Sequence, residues 1–185
     1  MITKLKRVKL NKQDIVKLNL LKCFWNNISS LFYNDNIKRD DPKQWYCIPY
    51  RHVEIIHILY IINKVAGKQL TFLDVGCGSG HIVALANTLG FHAEGIELNK
   101  CIPSCYTSNI TEVDAFEYTE YKRYDVIYCY QILKNPADLD ELYKLIISKC
   151  KPGTVFIFVG QYNYGLMDSL LIKIERNSFT IYVKP

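Results

Sequence analysis

With 185 residues, 49% of them hydrophobic and 22% charged, the chain is long enough for one domain with its own core and too short for two ordinary ones. Its composition is not that of a disordered protein. The net charge of +5, carried by far more Lys than Arg, is too mild for a general polyanion binder and suggests an acidic partner without specifying it. Seven scattered cysteines, an odd number without a compact disulfide pattern, point to reduced thiols and a cytoplasmic location. The basic start MITKLKRVKLNK has no apolar core behind it and does not read as a signal peptide, and the apolar stretch VEIIHILYIINKVAG is too short and too interrupted for a membrane span. The bias toward Lys, Asn, Ile and Tyr is that of an AT-rich coding genome, which suggests a virus, a phage or an AT-rich microbe as source.

From Gln13 to Phe32, apolar residues recur every three or four positions (Ile15, Leu18, Leu21, Trp25, Ile28, Phe32), which predicts an amphipathic helix buried along that stripe. The polar, proline-containing YNDNIKRDDPKQWYCIPY predicts a loop, and Arg51 to Val65 a second helix, apolar on most sides and therefore buried. A strand over Gln69 to Val75 is followed by a glycine turn, then by a helix from Ile82 to Leu89 that stops at Gly90. His92 to Leu98 reads as a strand and 101–111 as a short crossover containing Pro103. Tyr124 to Tyr130 is a strand, Asp138 to Cys150 a helix, Lys151-Pro152-Gly153 a turn, and Thr154 to Gly160 another strand. The closing LLIKIERNSFTIYVKP alternates and turns at 176–178, the pattern of a β-hairpin.

Strands alternating with helices predict an α/β protein of the Rossmann-like kind. It has a mostly parallel sheet, helices on both faces and a C-terminal antiparallel β-hairpin. Ligands of such sheets bind at the carboxyl ends of the strands. At one of those ends FLDVGCGSGH places Gly76, Gly78 and Gly80 at alternate positions after Asp74. A strand, a glycine turn and a helix whose first N–H groups are free make a site where backbone can touch a ligand. The dinucleotide spacing G-x-G-x-x-G fails, because His81 stands where its third glycine would be. An NAD-type oxidoreductase is disfavoured on that ground. On its own the turn is also compatible with simple packing or another nucleotide.

The order D-V-G-C-G-S-G resembles motif I of the class I, seven-strand S-adenosylmethionine (SAM) dependent methyltransferases, and the resemblance extends from Trp45 to Pro185. It implies SAM as cofactor. Asp74, Gly76, Cys77, Gly78 and Gly80 would form the methionine pocket. Glu97, which ends the strand in GIELN, would hold both ribose hydroxyls, and Leu98 would lie against the adenine. An acceptor-only carboxylate suits two O–H donors. By the same resemblance Asp114, followed by Ala115, would accept from the adenine amino group. Phe116 is either a stacking neighbour or, as we expect, a core residue. KPGTVFIF and the proline of CIPYRH also resemble family features.

The resemblance places the methyl acceptor at the end of the fourth strand, at Tyr128-Cys129-Tyr130-Gln131. We take Tyr130 and Gln131 as the catalytic candidates. Tyr128 and Tyr130 share a strand face and would cradle or orient an acceptor; ordinary strand packing is equally open. The [DN]-P-P-[YF] motif of base N-methylating enzymes is absent, Asn135-Pro136-Ala137 being displaced and incomplete, and Cys129 is expected to be buried and inert. GHIVALANTLGFHAEGIELN is similar to a stretch of seven-strand protein-lysine methyltransferases, but only in the cofactor half. Cys101 and Cys105, with His81 and His92, lack zinc-ligand spacing, so no metal is expected.

The organisation expected is a basic arm, amphipathic helix and loop over residues 1–44, followed by a methyltransferase-like domain over 45–185. Lys4, Lys6, Arg7, Lys9 and Lys12 make the arm an acceptable contact for nucleic acid or an acidic protein surface. By the same resemblance, Trp45, Tyr46 and Tyr50 would stand where family members place a lid over SAM. The acceptor stays open between protein side chain, nucleic acid and small molecule. The competing reading is a non-catalytic methyltransferase-like structural or assembly subunit, in a virus particle for example.

Overall fold

The computed structural model describes residues 2–33, 52–98, 109–130, 132–160, 163–176 and 179–185. The loop around Trp45, Tyr46 and Tyr50, the crossover with Cys101 and Cys105, Gln131 and the hairpin turn at 177–178 lie outside the described residues.

Two helices, α1 (Ile2–Arg7) and α2 (Lys12–Tyr33), precede α3 (His52–Ala66). Then come β1 (Thr71–Val75), α4 (His81–Thr88), β2 (His92–Glu97) and β3 (Ile110–Glu112). A short 3-10 turn, Tyr121–Arg123, leads into β4 (Val126–Tyr130), α5 (Pro136–Lys149), β5 (Val155–Val159), α6 (Tyr164–Leu170), β6 (Ile172–Arg176) and β7 (Phe179–Val183). The strands form one seven-stranded sheet in the order β3-β2-β1-β4-β5-β7-β6. The first five are parallel; β7 runs antiparallel to both β5 and β6. The expected α/β architecture with its terminal hairpin is therefore present.

The central strands are apolar at nearly every position because both sheet faces are covered. Phe72, Ala93, Val126, Tyr128, Val155 and Ile157 pack with α3 and α4 on one face; Leu73, Val75, Ile127, Cys129, Phe156 and Phe158 pack with α5 and Met167 on the other. On α3, Ile55, Ile56, Ile58, Leu59, Ile61 and Ile62 are all buried, as its sequence predicts. Its polar Asn63 is used: the side-chain amide donates to the Leu89 carbonyl at 2.6 Å, where α4 ends.

Four local expectations change. The buried row of α2 is Asp14, Leu18, Leu21 and Trp25, while Ile15 is 49% exposed. A helix advances about 100° per residue, so a row that starts at Asp14 leaves Ile15 at its flank. Asp14 is tolerated inside because its carboxylate accepts the Asn11 N–H at 2.7 Å and the Tyr60 hydroxyl at 2.8 Å, and pairs with Lys64. Asn11 Oδ1 in turn accepts the Asp14 N–H at 2.9 Å, a reciprocal cap that fixes the start of α2. The basic arm is helical over residues 2–7 and anchored by the buried Leu5. Residues 110–112, the first two of them read as the end of the crossover, pair with β2 as an edge strand. Finally, α6 was not foreseen; it is short and opens with Asn163, whose Oδ1 accepts the Leu166 N–H.

Candidate cofactor site and acceptor edge

The carboxyl ends of β1, β2, β3 and β4 lie along one edge of the sheet, where Val75 is level with Ile96 and Cys129, and Glu97 with Glu112. The strand order reverses between β1 and β4, which makes this edge the topological switch point.

Val75 leads into the turn 76–80. Gly76, Gly78 and Gly80 adopt φ of +71°, +54° and +83°, a region that a side chain would strain. The N–H groups of Gly76 and Cys77 both donate to the Ile96 carbonyl, at 2.9 and 3.0 Å, and the Gly80 N–H closes the turn on the Cys77 carbonyl at 3.0 Å. The Gly78 N–H donates to Glu97 Oε2 at 2.9 Å. The turn is thus bound to the end of β2 by three hydrogen bonds, one of them to a carboxylate. A Cβ placed on Gly78 would meet nothing within 4 Å, so its outer side faces open space.

Beneath the turn the structure is closed. Asp74 is buried level with Gly95 and Tyr128, and burial, reinforced by the nearby Glu97 charge, pushes its carboxyl well above the usual range. The Cys77 side chain is buried too, so a ligand above the turn would meet Cys77 through its backbone. It lies over Gly95: a Cβ there would stand 2.6 Å from Cys77 Sγ. Gly95 and Ile132, which would meet a Cβ on Gly76 at 3.1 Å, are two supports of the turn that sequence reasoning missed. The glycine of GIELN was the available signal for the first; none marked Ile132.

The Val113 N–H donates to the Glu97 carbonyl at 3.0 Å and brings Asp114 beside the β2 end. Asp114 Oδ1 accepts the Phe116 N–H at 2.8 Å, and its carbonyl accepts from Glu117 and Tyr118, so the acid sits at the head of a tight turn. Ala115, half-buried, is fixed by the Tyr121 hydroxyl, which donates to its carbonyl at 2.7 Å. Leu98, 64% exposed, and Phe116, 37% exposed, offer apolar surface along this edge. Phe116 is therefore not the core residue expected, because the turn that Asp114 makes directs it away from the sheet.

At the end of β4, Tyr130 is half-buried and pairs with Val159. Tyr128, one pleat earlier on the same face, is core: its ring stacks on Phe72 with centroids 6.4 Å apart. Cys129 is fully buried, and burial raises its thiol pKa well above the ordinary value, so it is inert as expected. Asn135 caps α5, its Oδ1 accepting the Ala137 N–H with Pro136 in the first turn, a structural role for Asn135-Pro136-Ala137.

A glycine turn, a strand-end glutamate and an aspartate turn thus lie together on one edge of a Rossmann-like sheet. Residues 41–176 match the family profile described as methyltransferase domain. The chain belongs to that family, the class I SAM-dependent methyltransferases. It is similar to the ubiquinone biosynthesis O-methyltransferase of Rickettsia prowazekii (strain Madrid E), 28% identical over 154 residues, which is 70% of this chain and 61% of that one. The chain thus spans about three fifths of the length of that curated relative. Among solved structures, magnesium protoporphyrin IX methyltransferase from Synechocystis PCC 6803 with bound SAM superposes with a TM-score of 0.59 at 13% identity, covering 97% of this chain and 100% of that one. An RNA methyltransferase from Salinibacter ruber in complex with S-adenosyl-L-homocysteine gives a TM-score of 0.50 at 18% identity over 70% and 88%. At these identities the two structures share the fold with this chain.

Proposed function

We propose that the chain catalyses methyl transfer from SAM to an acceptor held at the carboxyl edge of the sheet. The observation that carries this reading is the Gly78 N–H to Glu97 carboxylate contact, 2.9 Å long, which draws the glycine turn and the strand-end acid together beside Asp114. The open space outside Gly78 suits a ligand that must touch backbone. In this reading Gly76, Cys77, Gly78 and Gly80 receive the methionine part through their backbone, with the buried Asp74 beneath them. Glu97 holds the ribose, and Asp114 with Ala115 and Leu98 borders the adenine. Bound SAM supplies a methyl group already activated by its sulfonium. The protein's share is to align the acceptor and exclude water, a role we give to Tyr130 and Gln131.

Among protein side chains, nucleic acids and small molecules as acceptors, we favour a hydroxyl-bearing small molecule, because the curated relative above is an O-methyltransferase by name. The division into residues 1–44 and a catalytic domain over 45–185 belongs to the same proposal. So does a negatively charged partner met through the basic N-terminal segment. A cytoplasmic location is supported by the seven scattered cysteines of the sequence, and a viral or phage source by the residue bias. No helix among the described residues is long and apolar enough to cross a membrane.

Calorimetry with SAM and S-adenosylhomocysteine on the wild type, Glu97→Gln and Glu97→Ala tests the reading. Loss of a charge-assisted contact weakens binding by roughly 1.5–3 kcal/mol, about ten- to a hundredfold or slightly more. Glu97→Gln keeps an oxygen for the Gly78 N–H and separates the ribose contact from the support of the turn. Absence of binding by the folded wild type would refute the proposal. Transfer of label from SAM to catechols, lysine peptides and RNA in parallel would identify the acceptor class.

A further inference from the structure

The first 22 residues hold seven basic side chains and one acid, so a net charge of +6 lies in a segment of a chain whose total is +5. The remainder is therefore close to neutral. The one acid, Asp14, faces inward and is paired with Lys64. Lys4, Arg7, Lys9, Lys12 and Lys17 are exposed.

The same segment carries a second, exposed apolar row on the outer face of α2. While Leu18, Leu21 and Trp25 of α2 face the core, Val16 is 58% and Leu20 67% exposed, and the exposed Cys23 continues the line one turn on. Spacings of four and three keep this second row on one face, opposite the buried one. Ile15 adds apolar surface at its flank, with Lys12 at its head and Lys17 and Lys22 at its sides. Val16 and Leu20 line a shallow open groove with Lys12, Gln13 and Lys17.

We propose that this outer face of α2, with the basic residues of α1 and the α1–α2 linker, is a docking surface for an anionic lipid bilayer. Aliphatic side chains in a row flanked by lysines form the pattern of a helix that lies in the bilayer interface, its apolar face inserted and its lysine stems reaching to the headgroups. Each lysine or arginine near a negatively charged leaflet adds attraction. A nucleic acid would use the charge, but it would ask for aromatic or arginine stacking surfaces, which this row of Val16 and Leu20 does not offer. The contact is peripheral, so it needs no spanning helix.

The test is co-sedimentation of the full chain with vesicles of phosphatidylcholine alone and of equal parts phosphatidylcholine and phosphatidylglycerol. We expect binding only to the anionic vesicles, weakened by salt and by about fivefold for each lysine removed in Lys9→Gln and Lys12→Gln. Val16→Asp and Leu20→Asp should each weaken it by roughly tenfold or more while Tm stays unchanged, because both side chains point away from the core. Failure of the wild type to bind anionic vesicles would overturn the proposal. So would binding indifferent to Val16→Asp and Leu20→Asp, or a dimer in solution that Leu20→Asp dissolves. Preference for an RNA oligonucleotide over the vesicles at equal salt would replace it with a nucleic-acid surface.

Discussion

Gly95→Ala is the most informative single substitution near the turn. Within a strand, glycine to alanine ordinarily stabilises by about 0.4–1 kcal/mol, because the unfolded chain loses freedom. Here the added Cβ would meet Cys77 Sγ at 2.6 Å, Cys77 Cβ at 2.8 Å and Val83 Cγ2 at 2.9 Å, and both neighbours are buried. Overpacking of that kind costs about 1–3 kcal/mol. The second effect exceeds the first, for a net loss of about 1–2 kcal/mol and a fall in Tm of roughly 2–8 °C in a domain of this size. Relief requires Cys77 to move, and Cys77 carries the turn, so SAM affinity should fall in parallel. Thermal unfolding by circular dichroism and SAM calorimetry measure the two effects. Combining Gly95→Ala with Cys77→Ala removes the shortest contact, and the double variant should lose less stability than the two single losses added, by at least about 0.5 kcal/mol. A Gly95→Ala protein as stable as the wild type or more so, or strictly additive variants, would refute the packing argument.

Asp14 is held down to a pKa of about 2, first by Lys64 and then by its bonds to Asn11 and Tyr60. A lowered carboxyl pKa adds stability that is present above the unfolded value near 4 and lost as pH falls through the folded value. Acid titration of Tm should therefore show a drop between about pH 4 and pH 2 that Asp14→Asn reduces. Lys184 donates to the carbonyls of Ile147 at 2.7 Å, Ser148 at 3.2 Å and Cys150 at 2.6 Å, closing the end of α5. Lys184→Met should lower stability by about 1–2 kcal/mol in urea unfolding. Asn135→Ala, at the other end of α5, should lose about 0.5–2 kcal/mol by the same assay. Site-resolved alkylation should label Cys23 in the native protein and reach Cys129 only on unfolding, since Cys129 is fully buried with a raised pKa.

Strand and helix periodicity made the sheet legible because its central strands, buried on both faces, are near-continuous apolar runs such as VFIFV. The glycine turn and Glu97 were legible as a motif. Their mutual hydrogen bond was not, since it depends on the register Glu97 acquires only when β2 pairs with β1. β3 escaped because three residues at an edge, two of them exposed, carry no period. The α2 row was misread at Ile15 because Asp14 does not look like a core residue until Tyr60 and Lys64, far along the chain, supply its partners. Phe116 was misplaced for a similar reason: hydrophobicity says inside, and a local turn closed by Asp114 decides otherwise.

The position of β7 between β5 and β6 bears on how the chain matures on a ribosome. β6 is synthesised before β7 but joins the sheet through it, so β6 has no place to dock until β7 has emerged. Through that interval the outer edge of β5, an aromatic strand, stands unpaired, and such an edge is where nascent chains associate wrongly or are held by chaperones. Lys184 follows directly after β7 and seals α5 in the same event. β7, with Lys184 behind it, thus works as a latch. A nascent chain arrested before Phe179 would carry the glycine turn and Glu97 and still expose an open, adhesive flank along β5.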